Sequence, residues 1–567
     1  MPEKLWQLRK HDAEAVNKLA AELNVRPLTA ALLISRGHET ADKAQRFLNP
    51  SPEHLHDPML LKGMSDAVSR IRRAVATKER VMIWGDYDVD GTTGTVLLRR
   101  MFRILGIEAE YHIPNRFTEG YGVNSEALKA ARERGVSLVI TVDCGSKSFE
   151  PLEWAAANGL DVIITDHHLA DDEQGNPPAV AVVNPNQAGC PYPEKTLAGV
   201  GVAFKLAHAV LRKYGYVDKV PQFLRIAALG TVADMMELTG ENRAIVALGL
   251  LDLNKTTDRG LRALIDVAGC SDDMTSYHIG FRLAPRINAA GRMDAAKHVV
   301  ELFDARDAAE ARRLAVLLDD NNILRQRAQQ EITELALAQI EAHDNTNFVV
   351  VSGDAWHQGV IGLAASRIVE KAFRPAAVIS VIDGVGHASA RSIPGFHLVE
   401  ALDAARDLLI QYGGHAMAAG FKIEESNIPE FRDLLNRHSS SVFGNETPQP
   451  VLEIDALVRS ESLDLDLVDE LSAFEPFGVG NNKPRFLTRG LRLQYEPTIM
   501  KDKHLKLKLA DDAGRQFEAV WWSGVEKSSG KTLNRGIGIE LVYVPEANSW
   551  HGNRRLQLVV EDLRTDN

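Results

Sequence analysis

Short, nearly continuous apolar runs alternate with stretches of helical periodicity between residues 81 and 235. Val81-Met82-Ile83-Trp84, Ser137-Leu138-Val139-Ile140-Thr141-Val142 and Asp161-Val162-Ile163-Ile164-Thr165 have the length and β-branched content of strands buried on both faces. Residues 94–105, 125–134, 151–157 and 203–212 carry helical spacing between them. Such alternation predicts an α/β domain with a parallel sheet and helices on both faces. Upstream, residues 1–50 show amphipathic helical spacing and end in the stop signal Phe47-Leu48-Asn49-Pro50, which predicts a helical preface on this domain, together residues 1–300. Residues 301–342 are rich in Ala, Leu, Glu, Arg and Gln and lack Gly and Pro, predicting one long helix or two nearly continuous ones as a connector over 301–345.

A second, smaller α/β unit over 346–440 starts at Asn347-Phe348-Val349-Val350-Val351. It continues through a strand at 376–381, a glycine-rich loop at 413–420 and a helix at 429–437. Ser, Gly, Asn and Pro cluster in 439–450, as in a linker. Short alternating strands at 490–495, 504–509, 517–522 and 556–560 then predict a β-barrel of OB type over 450–567.

Composition narrows the setting. A chain of 567 residues is too long for one core. Its 45% hydrophobic residues are broken up, with no run near the eighteen needed to span a bilayer. Met1–Val16 lacks the apolar core of a signal peptide, and Cys144, Cys190 and Cys270 are too few and too irregularly spaced for a disulfide framework or zinc site. These features predict a cytoplasmic protein. The net charge of −12 argues against indiscriminate binding to duplex backbones, yet leaves room for a narrow basic channel.

The candidate chemistry is concentrated where strands end. In Gly85-Asp86-Tyr87-Asp88-Val89-Asp90-Gly91, three carboxylates occupy alternate positions directly after the first strand. If that strand continues extended, all three leave on one side, and their mutual repulsion calls for a divalent cation. An EF-hand is excluded, because the twelfth position counted from Asp86 is Leu97 rather than the bidentate Glu. The second strand runs into Asp143-Cys144-Gly145 and the third into Asp166-His167-His168, while Asp234 follows a predicted helix. Ligands of open parallel sheets gather beyond the carboxyl ends of the strands, so these residues should converge. Oxygen-rich ligation with one or two imidazoles suits Mn²⁺ or Mg²⁺.

The ordered segments Gly-Asp-Tyr-Asp-Val-Asp-Gly, Val-Asp-Cys-Gly, Thr-Asp-His-His and Val-Ala-Asp-Met-Met resemble the DHH phosphoesterase superfamily. Gly413-Gly414-His415-Ala416-Met417-Ala418-Ala419-Gly420 is similar to the signature of the DHHA1 domain that follows the catalytic domain in many members. The resemblance implies a parallel-sheet DHH domain, a DHHA1 substrate-binding domain and an OB-like barrel. It also implies a two-ion centre in which Asp143 bridges. Asp88, with Asp86 through water, would hold one ion and Asp90, His167 and Asp234 the other; His168 would touch substrate or support the ligands, and Asp166 would orient the imidazoles. Where many relatives carry a histidine ligand ahead of the first motif's middle Asp, this chain has Trp84. The implied activity is metal-dependent 5′→3′ hydrolysis of single-stranded DNA to mononucleotides in recombination and repair. The enzyme would be a monomer working with single-strand-binding protein and a RecQ-type helicase.

Two rival functions share this ancestry. Small DHH–DHHA1 proteins cleave short oligonucleotides or cyclic dinucleotides, against which the long connector and terminal barrel point to a polymeric strand. A replication scaffold without metals is disfavoured by the intact ligand set.

Basic and glycine-rich segments supply candidates for a phosphate-tracking channel. Arg286, Asn288 and Arg292 flank small residues, and Arg suits phosphate through its planar fork. Arg367 follows glycines that precede a helical run, and Ser389 and Arg391 alternate on one face. Gly414 would admit a phosphate close to the backbone beside His415. In the last domain His504, Lys506 and Lys508 alternate with leucines, near Trp521 and Trp522, of which at most one can share their face.

Overall fold

The computed structural model describes residues 3–116, 118–169, 174–270, 273–293, 295–342, 347–444, 448–550 and 553–566. The end of the expected connector, 343–345, and part of the expected linker, 445–447, lie outside the described residues. The chain forms two compact units.

The first unit comprises Asp12–Asn322 with Asp469–Lys483. Its five-stranded sheet consists of β1 (Arg80–Gly85), β2 (Glu110–His112), β3 (Val136–Val142), β4 (Asp161–Thr165) and β5 (Ala181–Val183), in the order β2-β1-β3-β4-β5. All pairings are parallel. Alternate residues feed two cores. Ile83, Leu138, Ile140 and Ile163 lie in one, and Met82, Trp84, Val139 and Ile164 in the other. Burial on both faces is why these strands are apolar without alternation. Helices α1 (Val89–Ile104), α2 (Gly199–Lys213) and α3 (Leu224–Ala233) pack within the larger core. A continuous helical segment from Ser276 ends as α4 (Ala284–Arg292). The connector is helical as expected, in two pieces, Lys297–Phe303 and α5 (Ala308–Ala342), the latter extending from one unit into the other.

The preface is helical over Ala13–Leu23, Pro27–Ser35 and Ala41–Leu48. Leu5–Leu8, however, forms a strand paired in parallel with Val451–Ile454 rather than a helix. Helix nucleation is costly for so short a segment, and pairing with a strand distant in sequence serves its backbone groups instead.

The second unit holds Met1–His11, Ile323–Val468 and Pro484–Asn567. One of its sheets contains β6 (Val349–Asp354), β7 (Ala376–Ile382), β8 (Val385–Arg391), β9 (Leu409–Gly414) and β10 (Ala418–Glu424), ordered β9-β10-β8-β7-β6, with α6 (Gln358–Ala372) and α7 (Ile428–Phe443). Only β6 and β7 are parallel. The glycine-rich 413–420 segment is a hairpin of β9 and β10 rather than a loop. Helix α7 runs to Phe443, into the stretch expected as linker.

The C-terminal sheet contains Ala456–Leu457, β11 (Phe486–Leu493), β12 (Thr498–Met500), β13 (His504–Ala510), β14 (Gln516–Trp521), β15 (Gly538–Trp550) and β16 (Asn553–Thr565). β11 pairs with β13 over only two residue pairs, Arg492 with Ala510 and Leu493 with Leu509. β11, β15, β16, β14 and β13 pair in turn, and this short link joins β13 back to β11, an arrangement of the OB type expected.

Candidate metal centre

Register places the site. Gly85, Val142, Thr165 and Val183 are aligned across β1, β3, β4 and β5. The next residues repeat one bond. Asp86 N–H donates to Val142 O (3.2 Å), Asp143 N–H to Thr165 O (3.0 Å) and Asp166 N–H to Val183 O (3.2 Å). Three aspartates thus stand at one level beyond the carboxyl edge of the sheet. The strand order reverses between β1 and β3, the switch point where such sheets bind ligands.

The first motif is not extended as expected. The strand stops at Gly85, Asp88 caps α1 by accepting from Gly91 N–H (3.0 Å), and Asp90 lies in the first helical turn. Carboxylates favour helix N-termini, so this segment bends into a helix where alternation alone predicts a strand. A Cβ at Gly91 would sit 2.4 Å from Asp86 N, so only glycine lets the turn close. The three carboxylates consequently divide. Ligating atoms of Asp86, Asp88 and Asp143 lie within 4.8 Å of one another, as do those of Asp90, His167 and Asp234, and those of Asp143, His167 and His168. His167 Nε2 stands 3.1 Å from Asp143 Oδ1, 3.6 Å from Asp234 Oδ2 and 3.8 Å from Asp90 Oδ2. Asp143 therefore belongs to two of these three sets and touches the third through His167.

These groups fit divalent cations. Asp86 Oδ1, Asp143 Oδ1 and Asp234 Oδ2 are buried without a hydrogen bond among the described residues. An ionised carboxylate oxygen in that state is costly unless a cation meets it. Burial, then Asp88, pushes Asp86 up to about 8 and Asp90 up to about 7. Burial, then Asp90, pushes Asp234 up to about 9 and Asp143 well above the carboxylate range. Burial, then His168, lowers His167 to about 4, leaving a neutral imidazole with a lone pair to give.

Supporting groups hold the ligands. Both Asp90 oxygens accept backbone bonds at the start of α2, from Gly199 (2.6 Å) and Val200 (2.7 Å). Burial would raise Asp166, but the His168 ring at 2.8 Å, with the amides of Ser146 and His168, outweighs it and holds the carboxyl low. Asp166 therefore orients His168 and its turn, whereas His167 is fixed by a backbone hydrogen bond at Leu197. Beyond Asp234 the chain turns through Met235 at φ +58°. Leu238 N–H then donates to Val479 O (2.8 Å), so the 474–483 segment braces the Asp234 turn. Trp84, in place of a histidine ligand, is fully buried against His112.

Sequence reasoning missed Tyr121 and Arg116. The Tyr121 hydroxyl donates to Asp143 O (3.1 Å) and lies 3.2 Å from His168 Nδ1. Arg116 stacks over Tyr87 at 5.1 Å. The Gly-Tyr-Gly sequence at 120–122 was the one local signal. A cleft of about 270 Å³ beside Asp86 and Asp88 is lined by both, with Asn288, Gly291 and Arg292. Asn288 Oδ1 accepts from Val89 N–H (3.2 Å) at the start of α1. Arg286 leaves the same helix two residues away, on a different face, and its Nε meets Asp319 at 2.9 Å rather than lining the cleft.

In the second unit, Arg391 Nη1 donates to Ser389 Oγ (3.0 Å) on β8. A Cβ at Gly362 would come within 3.0 Å of Ser389 Oγ and 3.1 Å of Arg391 Nη2, so α6 approaches this pair closely. Arg367 is exposed and paired with Glu370 at 2.8 Å. Gly414, at φ +148°, has no room for a side chain, since a Cβ would lie 2.5 Å from Ala418 O. His415 is exposed at the hairpin turn. Lys506 meets Glu518 at 3.0 Å, and Lys508 lies over Tyr495 at 5.7 Å. Trp521 is buried, while Trp522 is half-exposed and meets the His504 ring at 4.8 Å.

Strand ends that gather carboxylates and a neutral imidazole around one shared aspartate define a phosphoesterase of the DHH class. The chain matches the family models for the DHH family N-terminal domain over residues 80–231, the DHHA1 domain over 345–440 and the RecJ OB domain over 454–562. It is 38% identical over 563 residues to the single-stranded-DNA-specific exonuclease RecJ of Bacillus subtilis, covering 98% of this chain and 70% of that protein. With its namesake from Salmonella typhimurium it shares 33% over 590 residues, covering 98% and 99%. The crystal structure of RecJ from Thermus thermophilus in complex with Mn²⁺ matches with a TM-score of 0.84 at 30% identity, over 99% of this chain and 80% of that one. The corresponding Mg²⁺ complex gives 0.79 at 29% identity, over 99% and 79%. The chain belongs to the RecJ family of single-stranded-DNA-specific exonucleases. Among the described residues, no helix is long and apolar enough to cross a membrane.

Proposed function

We propose that this protein hydrolyses single-stranded DNA from a 5′ end, releasing mononucleotides, with Mn²⁺ or Mg²⁺ as a pair of ions. The observation that carries the reading is that Asp143 shares one donor set with Asp86 and Asp88 and another with His167, which itself belongs to the set of Asp90 and Asp234. Asp143 would be shared between the two ions, Asp86 and Asp88 would hold one, and Asp90, His167 and Asp234 would hold the other. Bound there, divalent ions lower the pKa of a water and offset the charge that grows on the departing oxygen. The protein's own groups do the rest. Against the opposing effect of burial, Asp166 raises the pKa of His168 and so favours the protonated ring, the form that would donate to a phosphate oxygen. Arg292 engages a phosphate at the cleft, and Asn288 fixes the start of α1 there. Ser389, Arg391, Gly414 and His415 form a second phosphate contact, and Lys508 with Tyr495 a third.

The functional partition follows 1–300 for the catalytic domain, 301–345 for the connector, 346–440 for substrate binding and 450–567 for the OB domain. The setting we infer is a cytoplasmic monomer in recombination and repair, alongside single-strand-binding protein and a RecQ-type helicase. Digestion of end-labelled single strands, with 5′- and 3′-blocked controls and with or without Mn²⁺, tests the activity. Release of the 5′ label as mononucleotide only with metal is expected. Release from the 3′ end, or activity confined to dinucleotides, would overturn it.

A further inference from the structure

Helix α4 is preceded by two exposed aromatic side chains that no part of the proposed centre uses. Tyr277 and Phe281 are 53% and 70% exposed in the whole chain. Their rings stack on each other, with centroids 4.8 Å apart and planes 26° from parallel. Large exposed aromatics lose hydration free energy, and a stacked, prearranged pair presents a flat apolar face at little entropic cost. The turn that carries Phe281, Ile279–Leu283, is π-helical, a feature concentrated at functional sites.

Two further observations select the occupant. Positions 281, 288 and 292 follow one another along the same continuous helical segment. Asn288 and Arg292 of that segment line the metal cleft, and the rise per residue puts Phe281 roughly 16 Å from Arg292. The surroundings are also cationic. Burial, then the charges of Arg282 and Lys483, hold His278 below the ordinary imidazole range. Flat aromatic faces beside cations, in line with a phosphate-binding cleft, match the chemistry of unpaired nucleobases.

We propose that Tyr277 and Phe281 form a base-stacking platform for single-stranded nucleic acid, engaging nucleotides several positions from the reacting phosphodiester. The proposal rests on the reading of the cleft as a single-strand nuclease site. A base there stacks on Phe281 while its phosphate is neutralised by Arg282, so the platform adds affinity for long strands and contributes nothing to strands too short to reach it.

The test compares Phe281→Leu, Tyr277→Leu and Phe281→Trp with the wild type, using the full chain with Mn²⁺. Substrates are a 5′-phosphorylated thymidine 20-mer and a 5′-phosphorylated trinucleotide. For the two leucine variants, KM for the 20-mer should rise at least about five-fold, the lower end of one stacked base, with kcat and trinucleotide hydrolysis unchanged. Phe281→Trp should retain wild-type KM. Unchanged KM for the 20-mer in both leucine variants would overturn the platform, as would an equal loss on both substrates, which marks a structural role. A wild type inactive on every strand would instead remove the nuclease reading itself.

Discussion

Lys205 and Glu241 are buried as deeply as Asp90 and Asp143, yet their charges are met within the protein. Lys205 Nζ donates to Glu241 and to His56 O (2.6 Å), while Glu241 also accepts from the Tyr192 hydroxyl (2.5 Å) and His56 N–H (2.9 Å). One opposite charge and neutral donors close that network. A few helices away, five aspartates share two imidazoles, and three of their oxygens have no hydrogen bond among the described residues. Both clusters incur the desolvation cost of buried charge, but only the first offsets it internally. A buried charge that the fold satisfies belongs to architecture. One that the fold leaves unsatisfied, and keeps in place with caps and backbone bonds, is a binding site.

Substitutions should separate the two most sharply. Asp143→Ala should lower turnover by on the order of 10³-fold or more, the upper range for one preorganised electrostatic group. Metal-free stability should stay level or rise, because a repelled buried carboxylate is gone. Glu241→Ala should do the reverse, costing about 3–5 kcal/mol by stranding Lys205, with cleavage per folded molecule unchanged. Paired thermal melts and active-fraction assays check both.

Metal removal comes next in size. Asp86, Asp90 and Asp234 are raised to about 8, 7 and 9 in the folded protein. Above the ordinary carboxylate range the unfolded chain has lost protons that the native state retains, so metal-free stability should fall as pH rises from about 4 to about 9. Mn²⁺ should bind more tightly over the same interval, displacing those protons. At a hundred times its Kd it should add about 2.7 kcal/mol. Denaturant titrations at several pH values, with and without Mn²⁺, would show whether the slope has this sign.

Asp166→Asn probes the carboxylate of the site that is held low rather than raised. Loss of the charge behind His168 should reduce activity about 10–100-fold, the range for groups that orient metal-site residues, and the His168 pKa measured by NMR should drop. The smallest effect concerns the brace on Asp234. Gly480 and Gly490 have nearly the same positive φ, +74° and +72°, but only Gly480 faces neighbours, Thr239 and Glu237. Alanine at both strains the backbone alike. Gly480→Ala should in addition weaken Mn²⁺ binding a few-fold, roughly 1 kcal/mol of ligand displacement, as read by calorimetry.

Local physics made much of this protein legible from its sequence. The strand read at 161–165 has those bounds in the structure, and those read near 81–84 and 137–142 differ by a residue or two. Burial on both faces writes an unbroken apolar run, and a carboxylate after such a run marks the strand end. The metal-competent residues were therefore identifiable one by one. Only the tertiary structure decided how they group. The strand order put Asp86 and Asp143 on either side of the switch point, α2 brought its amides to Asp90, and a helix cap split the first motif between two donor sets. It also turned Arg286 onto Asp319 and drew Tyr121 to Asp143. Those outcomes depend on contacts between residues tens to hundreds of positions apart, whose free energies arise from packing and leave no period or spacing in the chain.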